Sequence, residues 1–144
     1  MGGTVIPDLP GIVVARLKAA CAVLRDVGGA AGLDSVDESL AAVPAAYAIP
    51  LAERPTEPPT AAQFSQLVDA AVGIVFVVTG AAAAGEDDIS ELVTVRRAAF
   101  AALLGWQPEG CLQGLAFAGG RLVKLSDNLL YWQDDFVTNY QEVL

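Results

Sequence analysis

Between Phe64 and Thr79 the chain reads FSQLVDAAVGIVFVVT, and alternate residues sort into two unequal faces. Phe64, Gln66, Val68, Ala70, Val72, Ile74, Phe76 and Val78 make one that is almost wholly apolar. Ser65, Leu67, Asp69, Ala71, Gly73, Val75, Val77 and Thr79 make a smaller, more mixed one. A period of two with β-branched enrichment predicts a strand, and its greasier face needs a helix or a second sheet over it. At about 3.3 Å per residue the stretch would run about 50 Å, far beyond an ordinary strand, so a bend or bulge is expected near Asp69 or Gly73.

On either side the pattern changes to helical spacing. Asp8 and Pro10 read as an N-cap region with an early helical proline, and Leu9, Val13, Leu17, Ala20, Cys21 and Leu24 recur at helical intervals. This first helix is expected to end near Ala20 to Ala22, with a brief extended piece before Gly28-Gly29. Ser35 and Glu38 read as a capping box that opens a short helix, which Pro44 stops. Further on, Glu86, Asp87 and Asp88 open the second main helix, Ile89 to Leu104. Asp88 with Glu91 makes its capping box, and Gly105 stands where a C′ glycine belongs. Its apolar stripe holds Ile89, Leu92, Val93, Ala99, Phe100, Leu103 and Leu104, the natural cover for the long strand. Arg96 falls in the middle of that stripe and Arg97 at its margin.

Shorter alternations complete the sheet. Tyr47, Ile49 and Leu51 alternate with Ala48, Pro50 and Ala52, and Pro50, which cannot donate to a ladder, puts this strand at an edge or a bulge. The following RPTEPPTAA, from Arg54 to Ala62, reads as the stiff, projecting connector of a hairpin with the long strand. Downstream, Leu115 to Ala118 and Arg121 to Leu125 flank Gly119-Gly120, a two-residue hairpin signal. A turn at Ser126 to Asn128 and strands Leu129 to Gln133 and Phe136 to Glu142 close a meander. The elements add up to an α/β (α+β) class: a mixed, mainly antiparallel sheet of about four or five strands with two main helices packed on one face.

A length of 144 residues fits one domain, residues 1–144, with a real core. Hydrophobic residues at 54% against 17% charged argue against disorder and suggest that some surface is hidden in an assembly. The longest apolar runs fall short of a membrane span, and MGGTVIPDLP has neither the basic lead nor the apolar run of a secretory signal. A net charge of −9 with no basic stripe argues against gripping nucleic acid by phosphate contacts, while an acidic wall past which DNA slides stays open. Cys21 and Cys111 have no metal-ligand spacing and read as buried thiols in a reducing compartment. The chain has no histidine, so the usual general base, metal ligand and triad partner is missing. Neither catalytic residues nor a cofactor or metal site are expected.

Two carboxylate clusters remain. Glu86, Asp87 and Asp88 read as a helix cap and solvated turn rather than a metal site. Asp134 and Asp135, between Trp132 and Phe136, read either as a strand-end turn or as a contact surface with charge beside aromatic anchors. Arg96, a guanidinium on an apolar face, must snorkel or pair with an acid, since an unpaired buried charge is very costly. A carboxylate or carbonyl partner is expected, inside the chain or across a subunit boundary. Gly28-Gly29 and Gly119-Gly120 read as turns, neither following a strand and opening a helix as phosphate loops do.

Several strings in order resemble the tail terminator (tail completion) proteins of long-tailed bacteriophages: VVARLKAA at Val13 to Ala20, AYAIPL at Ala46 to Leu51 and GIVFVV at Gly73 to Val78. RRAAFAALLGWQP at Arg96 to Pro108, FAGGRLVKL at Phe117 to Leu125 and LLYWQDDF at Leu129 to Phe136 complete the series. The resemblance implies helices packed on a sheet and a virion protein without enzyme activity, assembled in the host cytoplasm and placed at the neck end of the tail. It implies a homohexameric ring that caps the tail tube and ends its polymerisation. Its partners would be copies of itself, the tail tube protein and the head connector or neck protein, with DNA passing through the lumen and no membrane involved. Contact regions for such a ring are placed at the Arg54 to Gln63 loop with Arg54 and Glu57, at Glu86, Asp87 and Asp88, at Arg96 and Arg97, and at Trp132, Asp134, Asp135 and Phe136. Alternatives are another neck, connector or tube protein, or a small ligand-binding domain with a closed apolar pocket beneath the long strand.

Overall fold

The computed structural model describes residues 6–36, 42–60, 62, 64–80, 89–126 and 128–144. Strands β1 (Asp26–Gly28), β2 (Ala45–Pro55), β3 (Ser65–Thr79), β4 (Ala116–Leu125) and β5 (Leu129–Val143) form one sheet in the order β1-β2-β3-β5-β4. Only β1 and β2 run parallel; every other pairing is antiparallel. With helices α1 (Leu9–Ala20), α2 (Ala30–Asp34) and α3 (Ser90–Leu103) the class is α+β. The long strand lies at the centre: all fifteen of its residues pair with β5, and Val68 to Val77 also pair with β2.

Its two faces behave as their composition requires. Val72, Ile74, Phe76 and Val78 point to the layer where Val13 and Leu17 of α1 and Val95, Ala99 and Leu103 of α3 pack, together with Ala46, Ala48 and Phe136. Val75 and Val77 point the other way, into a smaller cluster with Tyr47, Leu129 and Tyr131 that Leu33 and Val36 cover. Both long helices therefore sit on the greasier face. The apolar area removed from water there, at about 25 cal/mol per Å², is the main term holding helices to sheet. Asp8 caps α1 as its side chain accepts from the Gly11 N–H at 3.1 Å.

Several local expectations are corrected. The bulge is not on β3 but on its partner: Pro50 pairs with Val72 and Ala52 with Ala71, leaving Leu51 as the extra residue. Pro50 has no N–H for the ladder, so the irregularity falls beside it. Gly119-Gly120 makes no hairpin; β4 runs through both, with register shifts at Ala118 and Val123. Leu129 to Val143 is one strand, so Asp134 and Asp135 are mid-strand rather than at a turn. Gly28-Gly29 does follow a strand and open a helix, but α2 has only five residues. Ser35 ends α2 instead of capping a new helix, and Glu38 lies outside the described residues.

The face of α3 is also rotated from the expected stripe. Leu92, Val95, Ala99, Ala102 and Leu103 are buried, whereas Ile89, Val93 and Leu104 are exposed. Its N-cap is Ile89, with no side-chain cap. Glu91 instead accepts from the Thr79 N–H at 2.8 Å, tying the helix start to the end of β3. Asp88 lies outside the described residues.

Candidate assembly surface

Where α3 crosses β5, one charged pair organises the packing. Arg96 donates from Nε and Nη2 to the two carboxylate oxygens of Asp134, at 2.8 and 3.0 Å. The Trp132 Nε1–H donates to the same carboxylate at 2.8 Å. Asp134 is 0% exposed and Arg96 27%, so the acid is sealed in while the guanidinium still reaches water. The guanidinium carbon stands 5.0 Å from the Trp132 ring centroid and 5.3 Å from that of Phe100, where ring faces favour a cation. The expected partner of Arg96 is thus a carboxylate inside the chain. Gly120 on β4 completes the arrangement: a Cβ there would run into the Asp134 carboxylate and the Trp132 indole.

This geometry decides what the neighbouring residues can reach. Phe136 is fully buried and packs edge-on to Phe100 and Phe117, with ring centroids 5.8 and 6.0 Å away. Asp134 and Phe136 therefore present no side-chain surface to a neighbour in this conformation, because the helix and β4 already cover them. Trp132 is half-buried, and Arg97 on the outer side of α3 is exposed. Asp135 faces the other side of the sheet, accepting from Arg121 Nη1 at 2.9 Å and from Gln133 Nε2 at 2.8 Å. Arg54 and Glu57 are exposed at the end of β2 and in its connector, about a strand length from the Arg96 cluster. Glu86, Asp87 and Asp88 lie outside the described residues.

Two surfaces escaped the sequence reading. The first is β4, an edge strand exposed along its length, whose Phe117, Leu122, Val123 and Leu125 leave large apolar area in water. Phe117 leans on Phe100, and Leu122 pairs with Trp132, so both continue the α3 side of the sheet. The alternating FAGGRLVKL carries that signal, but its Gly119-Gly120 pair imitates the turn of a hairpin. The second is a groove of about 570 Å³ between the start of α1 and β2, bounded by Pro10, Val14, Ala48 and Pro50, with Asp8 and Glu53 as its charged residues. β1 pairs only with Ala45 to Tyr47, which leaves the rest of that edge of β2 open.

Burial governs the titratable thiols and phenols. Burial pushes the Cys21 and Cys111 thiols up, away from thiolate reactivity. Burial and a hydrogen bond to Glu53 push the Tyr140 phenol up to about 12, and burial with a bond to Asp26 raises Tyr47. Among the described residues no group of three or more His, Cys, Asp or Glu could hold a metal ion. Beneath β3 the space is filled by Val13, Leu17, Val95 and Leu103, all 0% exposed, where a ligand-binding domain would need room. No described helix is long and apolar enough to cross a membrane.

A family model described as phage tail terminator protein matches residues 8–142. No curated protein matches. Among 21 matching chains of solved structures is one from the virion of a native gene transfer agent (GTA) particle. It aligns with a TM-score of 0.57 at 15% identity, covering 94% of this chain and 93% of that one.

Proposed function

On the premise that this chain belongs to the phage tail terminator family, we propose that it is a structural virion protein that caps the tail tube. In this reading the chain acts as one domain, and copies of it close into a hexameric ring at the neck end. One face of the ring stops tube polymerisation and the other meets the head connector. The protein carries no enzyme activity, and DNA passes through the lumen without specific binding. Assembly takes place in the host cytoplasm.

The match to the family model over residues 8–142 is the observation that carries the reading. The protomer is consistent with it. Its centre is a sheet packed between two clusters, and exposed apolar side chains are left on the edge strand β4, where copies of a small domain can hide them. A net charge of −9 suits a passage for DNA, since an acidic wall repels phosphate and lets it slide. Polymerisation of purified tube protein, followed by light scattering, tests the proposal. Substoichiometric terminator added during growth should halt elongation, and unchanged growth at saturating terminator would contradict it.

A further inference from the structure

The β4–α3 face and the α1–β2 groove lie on opposite sides of β3 in the sheet order, and both open on the side that the two long helices cover. We propose that they are the two halves of one subunit contact: β4 and the outer side of α3 of one copy seat in the α1–β2 groove of the next. The proposal rests on the ring reading above and names the surfaces that make it.

Charge and shape both select a second copy in this orientation. Arg97 on the β4–α3 face is exposed and has no ion-pair partner among the described residues, while the charged residues of the groove are Asp8 and Glu53. A contact of two identical β4–α3 faces would instead oppose Arg97 to Arg97, with the nearby acid, Asp134, sealed beneath Arg96. Phe117, Leu122 and Leu125 are 42, 51 and 56% exposed, and they would meet the apolar wall formed by Pro10, Val14 and Pro50. Pro50 and Pro55 cannot donate to a ladder, so the contact is side-chain packing rather than a sheet continued through the ring. Two different surfaces on one protomer give a head-to-tail contact, and such contacts close into rings when the rotation allows.

A crosslinking experiment distinguishes this contact from others. Protein carrying Leu122→Cys and Pro50→Cys together is assembled on tail tubes and treated with a short bismaleimide, with the parent, whose two cysteines are buried, as control. The proposal expects a covalent ladder rising to the closed ring on a denaturing gel, and monomer from either single variant. A crosslinked dimer from Leu122→Cys alone would mean that β4 faces β4, and overturns it. Tubes capped by the double variant with no ladder overturn the contact but leave the terminator reading standing. Parent protein that caps no tubes overturns that reading and this one with it. As a second measurement, Leu122→Asp should keep the parent circular dichroism and melting profile while needing about tenfold more protein to assemble. Assembly at the parent concentration overturns the proposal.

Discussion

Asp134 is the residue on which the α3–β5 packing turns. A carboxylate with 0% exposure is tolerable only because Arg96 meets both its oxygens and Trp132 donates to it as well. The two partners are not equivalent. Removing the arginine orphans a sealed charge, whereas removing the acid orphans a guanidinium that still touches water. Arg96→Met should therefore cost about 3 kcal/mol and Asp134→Asn about 1–2 kcal/mol in urea denaturation. The opposite order would mean that the pair is held by something other than burial. Alkaline pH probes other buried groups. Cys21, Cys111, Tyr47 and Tyr140 are all raised by burial, from ordinary values of 9.0 for the thiols and 10.0 for the phenols. Each keeps its proton to higher pH when folded than when unfolded. The stability they contribute is thus whole below about pH 9 and is lost as pH rises toward about 12. The urea midpoint should fall between pH 9 and 11, and Tyr140→Phe should flatten the fall; a midpoint rising over that range would contradict the assignment.

At the scale of elements, legibility followed the range of the interactions. The long strand, α1 with its Asp8 cap, the extended piece at Asp26–Gly28 and the body of α3 were written in local periodicity, and the structure has them. The errors came where a residue's reason lay far along the chain. Asp134 and Asp135 look like punctuation until Arg96 and Arg121 are brought to them from other elements. Gly119 and Gly120 look like a turn until the neighbouring strand puts a carboxylate where a Cβ would stand. Cutting β4 and β5 into four pieces also hides the exposed edge of β4 and the burial of Asp134 and Phe136 in mid-strand. β2 and β3 form the expected hairpin: they pair as far as Pro55 and Val68, and Thr56 donates to the Leu67 carbonyl beyond them. Thr56 to Thr60 are exposed. Replacing residues 57–64, which leaves β2 and β3 whole, by Asn-Gly should change stability by about 1–2 kcal/mol or less, because loop closure depends only weakly on length. If Arg54, Glu57 and this loop reach the tube, the same variant should lose capping; retained capping would remove the loop from the contact regions.

On the scale of the molecule, a packed centre is joined to an uncovered edge and groove. The core is built on both faces of one sheet, and Asp134 and Asp135, the acids at its middle, are paired within the chain, so these two charges do not need a neighbour. What the fold leaves open is apolar area on β4 and a groove beside β2, set on opposite sides of β3 in the sheet. A protomer of that kind gains by sitting next to its own copies, and a closed ring satisfies every copy at once. Cryo-electron microscopy of tail tubes incubated with the purified protein measures this most directly. The account predicts a six-fold ring of this fold seated on one end of each tube, with the tubes no longer growing. Bare ends on tubes that continue to elongate, with the protein still monomeric in solution, would contradict it.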